Sequence, residues 1–397
     1  MSGVLDLKSA RRYLEELVQL GPRGSATEGE RRAAEYISKE LERMGYRVEW
    51  QDFRTTRDNL YLLPLQVASL LLISALISLT YGDMFNVLAL LLSIVGISLL
   101  LLEVSGVPIE TSIMPRYRSQ NIFTGFDDSR RKKVIVSAHY DTQRASIMFH
   151  PRLVDHLGLV FKVLYAGFLL VPVGILLNTL RLQLLAEVLL VAGLAVTSAN
   201  AVFMALCEVT GSYTQGANDN GTGVALTLAL AEYYANRKKE FPGDVDVVFL
   251  FTGSEEAGER GMKQFIRRYS RALPRDTQFI ILDNLGAGKV TFLEGEGMIF
   301  YRRAGSMLLE IAEEMRRESG GRVQRMRNLL LPTDALPVMA TGFNAIAFLA
   351  KDEKGRIANY HWYTDTIENV DMDLLQYEEE FFKEYLTRVV KALSKNP

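Results

Sequence analysis

The sequence predicts an α/β fold, a mixed and largely parallel sheet flanked by helices, with two inserted transmembrane helical hairpins. Three observations carry this reading. Short continuous apolar runs alternate with helical patterns, as do strands buried on both faces of a parallel sheet. Four stretches are apolar at membrane-spanning length, roughly 20 residues. Those four fall into two pairs, each joined by a short polar link, so each pair folds back as a hairpin that starts and finishes on one side.

In chain order, Lys8–Leu20 has helical apolar spacing and is broken by Gly21-Pro22. Thr27-Glu28-Gly29-Glu30 fits a capping box opening a helix that runs to about Met44, where Gly45 ends it. Arg47–Phe53 alternates like a strand. The spanning stretches are Leu60–Leu79 with Met84–Leu102, and Lys162–Leu180 with Val188–Cys207. A core helix normally shows a polar stripe, and four in succession lack one. Lys133–Ala138, Val245–Phe251, Phe279–Leu282 and Ala345–Leu349 read as buried strands; Gly223–Asn236 and Met307–Glu318 read as helices. The chain therefore divides into a discontinuous α/β domain (1–58, 105–155 and 208–397) and two hairpins (59–104 and 156–207).

Composition narrows the function. Lys+Arg is 45 against 47 Asp+Glu, a net charge of −2, so the basic footprint of a nucleic-acid binder is missing. The single cysteine, Cys207, excludes an intramolecular disulfide. The first forty residues are charged and lack an apolar core, so no cleaved signal peptide is expected.

The chemistry lies where the apolar runs end. Val134–Ala138 leads into His139-Tyr140-Asp141, Val247–Phe251 into Thr252-Gly253-Ser254-Glu255-Glu256, and Phe279–Leu282 into Asp283-Asn284. Sites in open α/β sheets lie beyond the carboxyl ends of the strands, so these residues converge. One acid after a strand means little, since turns are full of them; three such ends make a cluster. Gly216–Gly223 is a Gly- and Asn-rich turn around Asp219, which alone would read as a helix cap. His361 stands in a polar loop after the last strand.

The series His139-x-Asp141, Asp219 in its Gly/Asn-rich turn, Glu255-Glu256, Asp283 and the late His361 resembles metallopeptidase family 28, the co-catalytic di-zinc aminopeptidases and their relatives. Leu20-Gly21-Pro22-Arg23-Gly24-Ser25, Gly45-Tyr46-Arg47-Val48, Thr333-Asp334 and Asp365 extend the resemblance over nearly all of the chain outside the hairpins. The hairpins depart from the soluble members. The resemblance implies that Asp219 bridges two Zn²⁺ ions, that His139 and Asp283 complete one site, and that Glu256 and His361 complete the other. One imidazole and two carboxylates per metal suit Zn²⁺ and admit Co²⁺ or Mn²⁺. It also implies Glu255 as general base, Asp141 as the acceptor that fixes the His139 tautomer, and a cis bond after Asp219. His150 and His156 read as interface residues.

The expected function is then a membrane-bound zinc exopeptidase of aminopeptidase type, acting on peptides. A glutaminyl cyclase-like zinc acyltransferase, a carboxypeptidase or dipeptidase of the same family, and a non-catalytic receptor-like relative are the alternatives. Cyclases of this family use one zinc, and loss of catalysis erases ligands, whereas every ligand position here is filled. Residues 105–156 carry eight Lys or Arg and the hairpin tips only Arg181, which puts the catalytic domain on the cytoplasmic side of a multi-pass protein. The oligomeric state is left open by the sequence.

Overall fold

The structure, a computed structural model, describes residues 9–57, 61–107, 117–127 and 132–395. Its strands are β1 (Val48–Thr55), β2 (Tyr117–Thr124), β3 (Lys132–His139), β4 (Val245–Thr252), β5 (Gln278–Leu282), β6 (Lys289–Glu296), β7 (Arg302–Arg303), β8 (Val323–Asn328) and β9 (Asn344–Lys351). They form one nine-stranded sheet in the order β1-β2-β4-β3-β5-β9-β6-β7, with β8 paired to β6. The four central strands, β4-β3-β5-β9, are parallel, and these are the four continuous apolar runs. Every residue of β4 is buried, as a strand covered on both faces must be. The flanks are antiparallel at β1–β2, β2–β4, β9–β6 and β6–β7, while β8 joins β6 in parallel.

Helices cover both faces. They are α1 (Ser9–Gln19), α2 (Glu28–Arg43), α7 (Thr222–Arg237), α8 (Arg260–Tyr269), α9 (Ser306–Glu318), α10 (Ala335–Ala340) and α11 (Met372–Lys395). One core joins α1, α2, α7, α9 and α11 to the sheet, and a second lies under α8 and α10 on the other face. The expected capping box is half made. Thr27 accepts from the Glu30 amide (3.4 Å), but the Glu30 carboxylate takes the Ala26 amide (3.0 Å) rather than that of Thr27. Its other oxygen reaches the Ser254 amide at 2.9 Å.

The four apolar stretches form α3 (Leu62–Tyr81), α4 (Asn86–Val104), α5 (Leu157–Thr179) and α6 (Gln183–Thr210), each long and apolar enough to cross a membrane. The last two begin about five residues before their apolar stretches. Only 22–39% of each span is buried, leaving rows such as Leu88, Leu91 and Val95 turned outward. Gly167, Gly174 and Gly193 let α5 and α6 approach closely; a Cβ on Gly174 would lie 2.9 Å from Leu190. The two tips meet, Asn178 donating to Ser78 Oγ (3.0 Å) and Ser78 to Asn86 Oδ1 (2.7 Å). At the opposite end Glu103 pairs with Arg260 (3.2 Å) and Lys263 (3.0 Å) of α8. The bundle core also contains Phe149, whose ring lies 4.4 Å from that of His361. The hairpins therefore rest against the same edge of the sheet to which the chemistry was assigned.

Candidate metal centre

The parallel register brings the strand ends level. His139 pairs with Thr252 across β3–β4, and Asp283 follows Leu282 at the end of β5. His361 enters from the loop after β9, and Asp219 from the turn before α7. His139, Asp219, Glu255, Glu256, Asp283 and His361 are all buried there.

Two triads result, and they share one residue. His139 Nε2 lies 3.4 Å from Asp219 Oδ1 and 3.3 Å from Asp283 Oδ1. His361 Nε2 lies 3.1 Å from Asp219 Oδ2 and 3.2 Å from Glu256 Oε2. Asp219 thus offers one oxygen to each triad. Glu255 is set farther back, with Oε2 4.0 Å from His139 Nε2, and with His139 and Glu256 it makes a third group that could hold a metal ion. Asp219 Oδ2 and Glu256 Oε1 are buried acceptors that receive no hydrogen bond. Buried oxygens without donors, facing imidazole nitrogens, fit a cation. Each triad can hold a metal ion.

The charge balance points the same way. Burial works to lower the His139 pKa, but Glu255, Asp141, Asp219 and Asp283 outweigh it and hold it well above the usual value. For His361 burial is again overcome, by Glu256 and Asp219, and its pKa rises to about 10. Burial lifts Glu256 to about 7 and Glu255 well above the ordinary carboxyl range. Four buried acids, Asp219, Glu255, Glu256 and Asp283, face two imidazoles, an imbalance that a bound cation would relieve.

Asp141 lies where the sequence places it, but its strongest bonds go elsewhere than expected. Oδ1 is 3.6 Å from His139 Nδ1, longer than a hydrogen bond. The carboxylate accepts instead from the amides of Glu255 (2.9 Å) and Glu256 (3.1 Å) and from Ser25 Oγ (2.6 Å). His150 and His156 do not join the cluster; the His150 ring packs on Trp362.

Several residues that hold the site were given no role from sequence, among them Arg23 and Asp365, which there only extended the resemblance. Arg23 is fully buried and donates to the carbonyls of Tyr140 (2.8 Å), Gln215 (2.9 Å) and Gly216 (2.7 Å), clamping the His139 strand end to the Asp219 turn. Asp365 accepts from the amides of Asn218 (2.6 Å) and Asp219 (3.3 Å). Asn220 Oδ1 accepts from Gly223 (3.0 Å) and Asn284 (3.1 Å), tying that turn to the Asp283 loop. Gln143 donates to Glu256 Oε2 at 3.1 Å. Gly216 has φ +65°, and a Cβ there would lie 2.1 Å from Thr142. The Asp219–Asn220 bond is cis, and Ser254, Asn284 and His361 have positive φ.

Residues 199–385 match the family model described as Peptidase family M28. The M28 match takes in Asp219, Glu255, Glu256, Asp283 and His361, and begins after His139 and Asp141. A curated relative, the alkaline phosphatase isozyme conversion protein of Escherichia coli (strain K12), is 36% identical over 83 residues, 20% of this chain and 23% of that protein. Among solved structures, a Zn-dependent exopeptidase from Parabacteroides distasonis ATCC 8503 superposes with a TM-score of 0.56 at 16% identity, covering 96% of this chain and 97% of its own. The Fimbriiglobus ruber glutaminyl cyclase gives 0.54 at 15% identity (98% and 97%). A leucine aminopeptidase precursor from Bacteroides thetaiotaomicron VPI-5482 gives 0.55 at 14% identity (96% and 96%). The fold is therefore zinc exopeptidase-like, and match and fold together support the M28 family and a hydrolase.

Proposed function

We propose that this chain is a membrane-embedded, zinc-dependent exopeptidase of aminopeptidase type. The observation that carries the reading is the pair of triads joined by Asp219, with Glu255 beside them and farther from His139 than Asp219 and Asp283 are. His139, Asp219 and Asp283 would hold one Zn²⁺; Asp219, Glu256 and His361 the other. Zinc bound there supplies Lewis acidity, polarising a scissile carbonyl and lowering the pKa of water. Glu255 accepts the proton of the attacking water and returns it to the departing amine. Asp141 fixes the amides of Glu255 and Glu256, so base and ligand keep their separation. Residues 59–104 and 156–207 form the membrane inserts of an α/β domain made from 1–58, 105–155 and 208–397, and that domain faces the cytoplasm. Of the basic residues behind this orientation, Arg116, Arg130 and Arg131 lie outside the described residues.

The test joins metal analysis to a substrate screen on the full-length protein. Two zinc ions per chain, with hydrolysis of peptides only when the amine is free, are expected. The glutaminyl cyclase fold likeness gives the second reading, and it has its own signature. One zinc per chain and ring closure of an N-terminal Gln, without hydrolysis, would replace the peptidase reading.

A further inference from the structure

A cavity of about 430 Å³ adjoins the metal centre, sharing Asp283, Asn284, Leu331, Pro332 and Tyr360 with it. Its position follows from strand register. Leu282 pairs with Phe348 across β5–β9, and the Ala350 amide donates to Asn284 O (2.9 Å). The end of β9 therefore runs past the Asp283 loop, and the alternate residues Leu349 and Lys351 line the cavity wall.

Lys351 is the unusual member. It is 5% exposed, yet among the described residues its ammonium has no hydrogen-bond acceptor and no carboxylate within ion-pair distance. Burial works to lower its pKa, and Glu296 and Asp283 oppose that. Glu296 is fully buried and already receives the Thr333 amide (3.3 Å), the Thr333 hydroxyl (3.2 Å) and Asn328 Nδ2 (3.5 Å). Asp283 belongs to the His139 triad. Asp155 on the cavity wall is paired with Arg356 at 3.2 Å, and Asp352, outside the lining, with the same arginine at 2.7 Å. The Tyr360 hydroxyl, on the same wall, also has no hydrogen-bond partner among the described residues. The Lys351 nitrogen is absent from the fully enclosed atoms that lack a partner, so the ammonium opens to the cavity while the rest of the side chain is buried. A cation left so beside a reaction centre is matched to an anion that arrives with the substrate.

We propose that this cavity is a carboxylate subsite, in which Lys351 pairs with an acidic group of the substrate next to the scissile bond. The inference rests on the peptidase reading above and gives it a substrate class. The carboxylate has two sources with the same chemistry, the side chain of an N-terminal Glu or Asp and the α-carboxylate of a C-terminal residue. An acidic group there replaces lost hydration of the ammonium; an amide of equal size does not.

The experiment compares wild type with Lys351→Met and Lys351→Gln as full-length, metal-loaded protein. One arm uses Glu-, Gln- and Leu-4-nitroanilide; the other uses N-blocked dipeptides with a free or an amidated C-terminus. Wild type is expected to favour the acid over its amide by about thirty-fold or more in kcat/KM in one of the two arms, which names the source. Both variants should erase that preference while keeping turnover of the neutral substrates and an unlowered Tm. Equal use of acid and amide by wild type, or a preference untouched in both variants, overturns the subsite and leaves the peptidase reading standing. If no substrate is cleaved by zinc-loaded protein, the peptidase reading fails, and calorimetry on metal-free protein decides the subsite separately. Tighter binding to wild type of L-glutamate than L-glutamine, or of N-acetyl-leucine than its amide, with the difference lost in Lys351→Met, supports it; equal binding within both pairs sinks it.

Discussion

Asp141→Asn distinguishes two jobs for one carboxylate. If the residue served to orient His139, its hydrogen bond should be to Nδ1, yet that contact is 3.6 Å while the Glu255 and Glu256 amides are at 2.9 and 3.1 Å. The substitution removes the charge and one acceptor oxygen at constant shape. Whichever way the amide turns, its N–H₂ faces one of those backbone N–H groups, so at least one of the two charge-assisted bonds is lost and a donor is left buried. Hydrogen bonds to charged groups contribute about 1.5–3 kcal/mol each, and an orphaned donor costs a similar amount. The Glu255-Glu256 loop should therefore lose roughly 2–4 kcal/mol of local support. That misplaces a ligand and the base together, and metal affinity and kcat/KM should each fall by about 10–100-fold. Zinc competition titration, which resolves two binding steps, is the assay. The loop-anchoring role predicts that the step involving Glu256 weakens, so Glu256→Ala in the Asp141→Asn background should add little further loss. Unchanged affinity in both steps, together with an unchanged Tm, would refute the argument.

Other predictions follow from the same geometry. Glu255→Gln keeps the ligand set and removes only the proton acceptor, so zinc content should hold while turnover falls by about 10²–10⁴-fold; near-normal kcat would contradict the assignment. Asp219→Ala deprives both triads at once, and metal analysis should find both ions lost rather than one. Glu103→Gln removes the carboxylate that Arg260 and Lys263 share at the foot of α4, leaving Lys263 with Glu259, and a lowered Tm with weakened activity is expected; indifference in both would uncouple the hairpin from the Glu255-Glu256 loop. For orientation, Thr179→Cys and, as control, Lys239→Cys are each placed in a Cys207→Ala background and treated with a membrane-impermeant maleimide on intact cells. Labelling at the tip with protection of the control is expected, and the reverse pattern would invert the topology.

What the sequence determined by itself is the part governed by local pattern. A helix apolar all round and a doubly covered strand continuously apolar both stand out in sequence, so α3–α6 and β3, β4, β5 and β9 are legible, with the starts of α5 and α6 displaced by about five residues. The convergence of His139, Glu255, Glu256 and Asp283 follows too, because parallel strands end on a common edge. The edges of the sheet are another matter. β2 is buried through Ser119, Gln120 and Asn121, whose side chains find partners in Glu30, Tyr140, Gln51 and Gly261, so it carries no hydrophobic signature. β8 exposes arginines at alternate positions on a strand held by one neighbour, and reads as a polar loop.

Only the tertiary structure decided how the site is held. Arg23 is bound to carbonyls 117 to 193 residues away, and Asp365 to amides 146 and 147 residues away. Their partners are backbone groups, identical along the whole chain, so no sequence pattern marks which ones will be met. The same holds for Lys351. A lysine at a strand end is ordinarily solvated, and here the register of β9 against β5 sets it in the wall of the cavity, without a carboxylate at ion-pair distance among the described residues. Composition selects the elements that lose water, but the pairing of polar groups across long separations is settled when those elements pack.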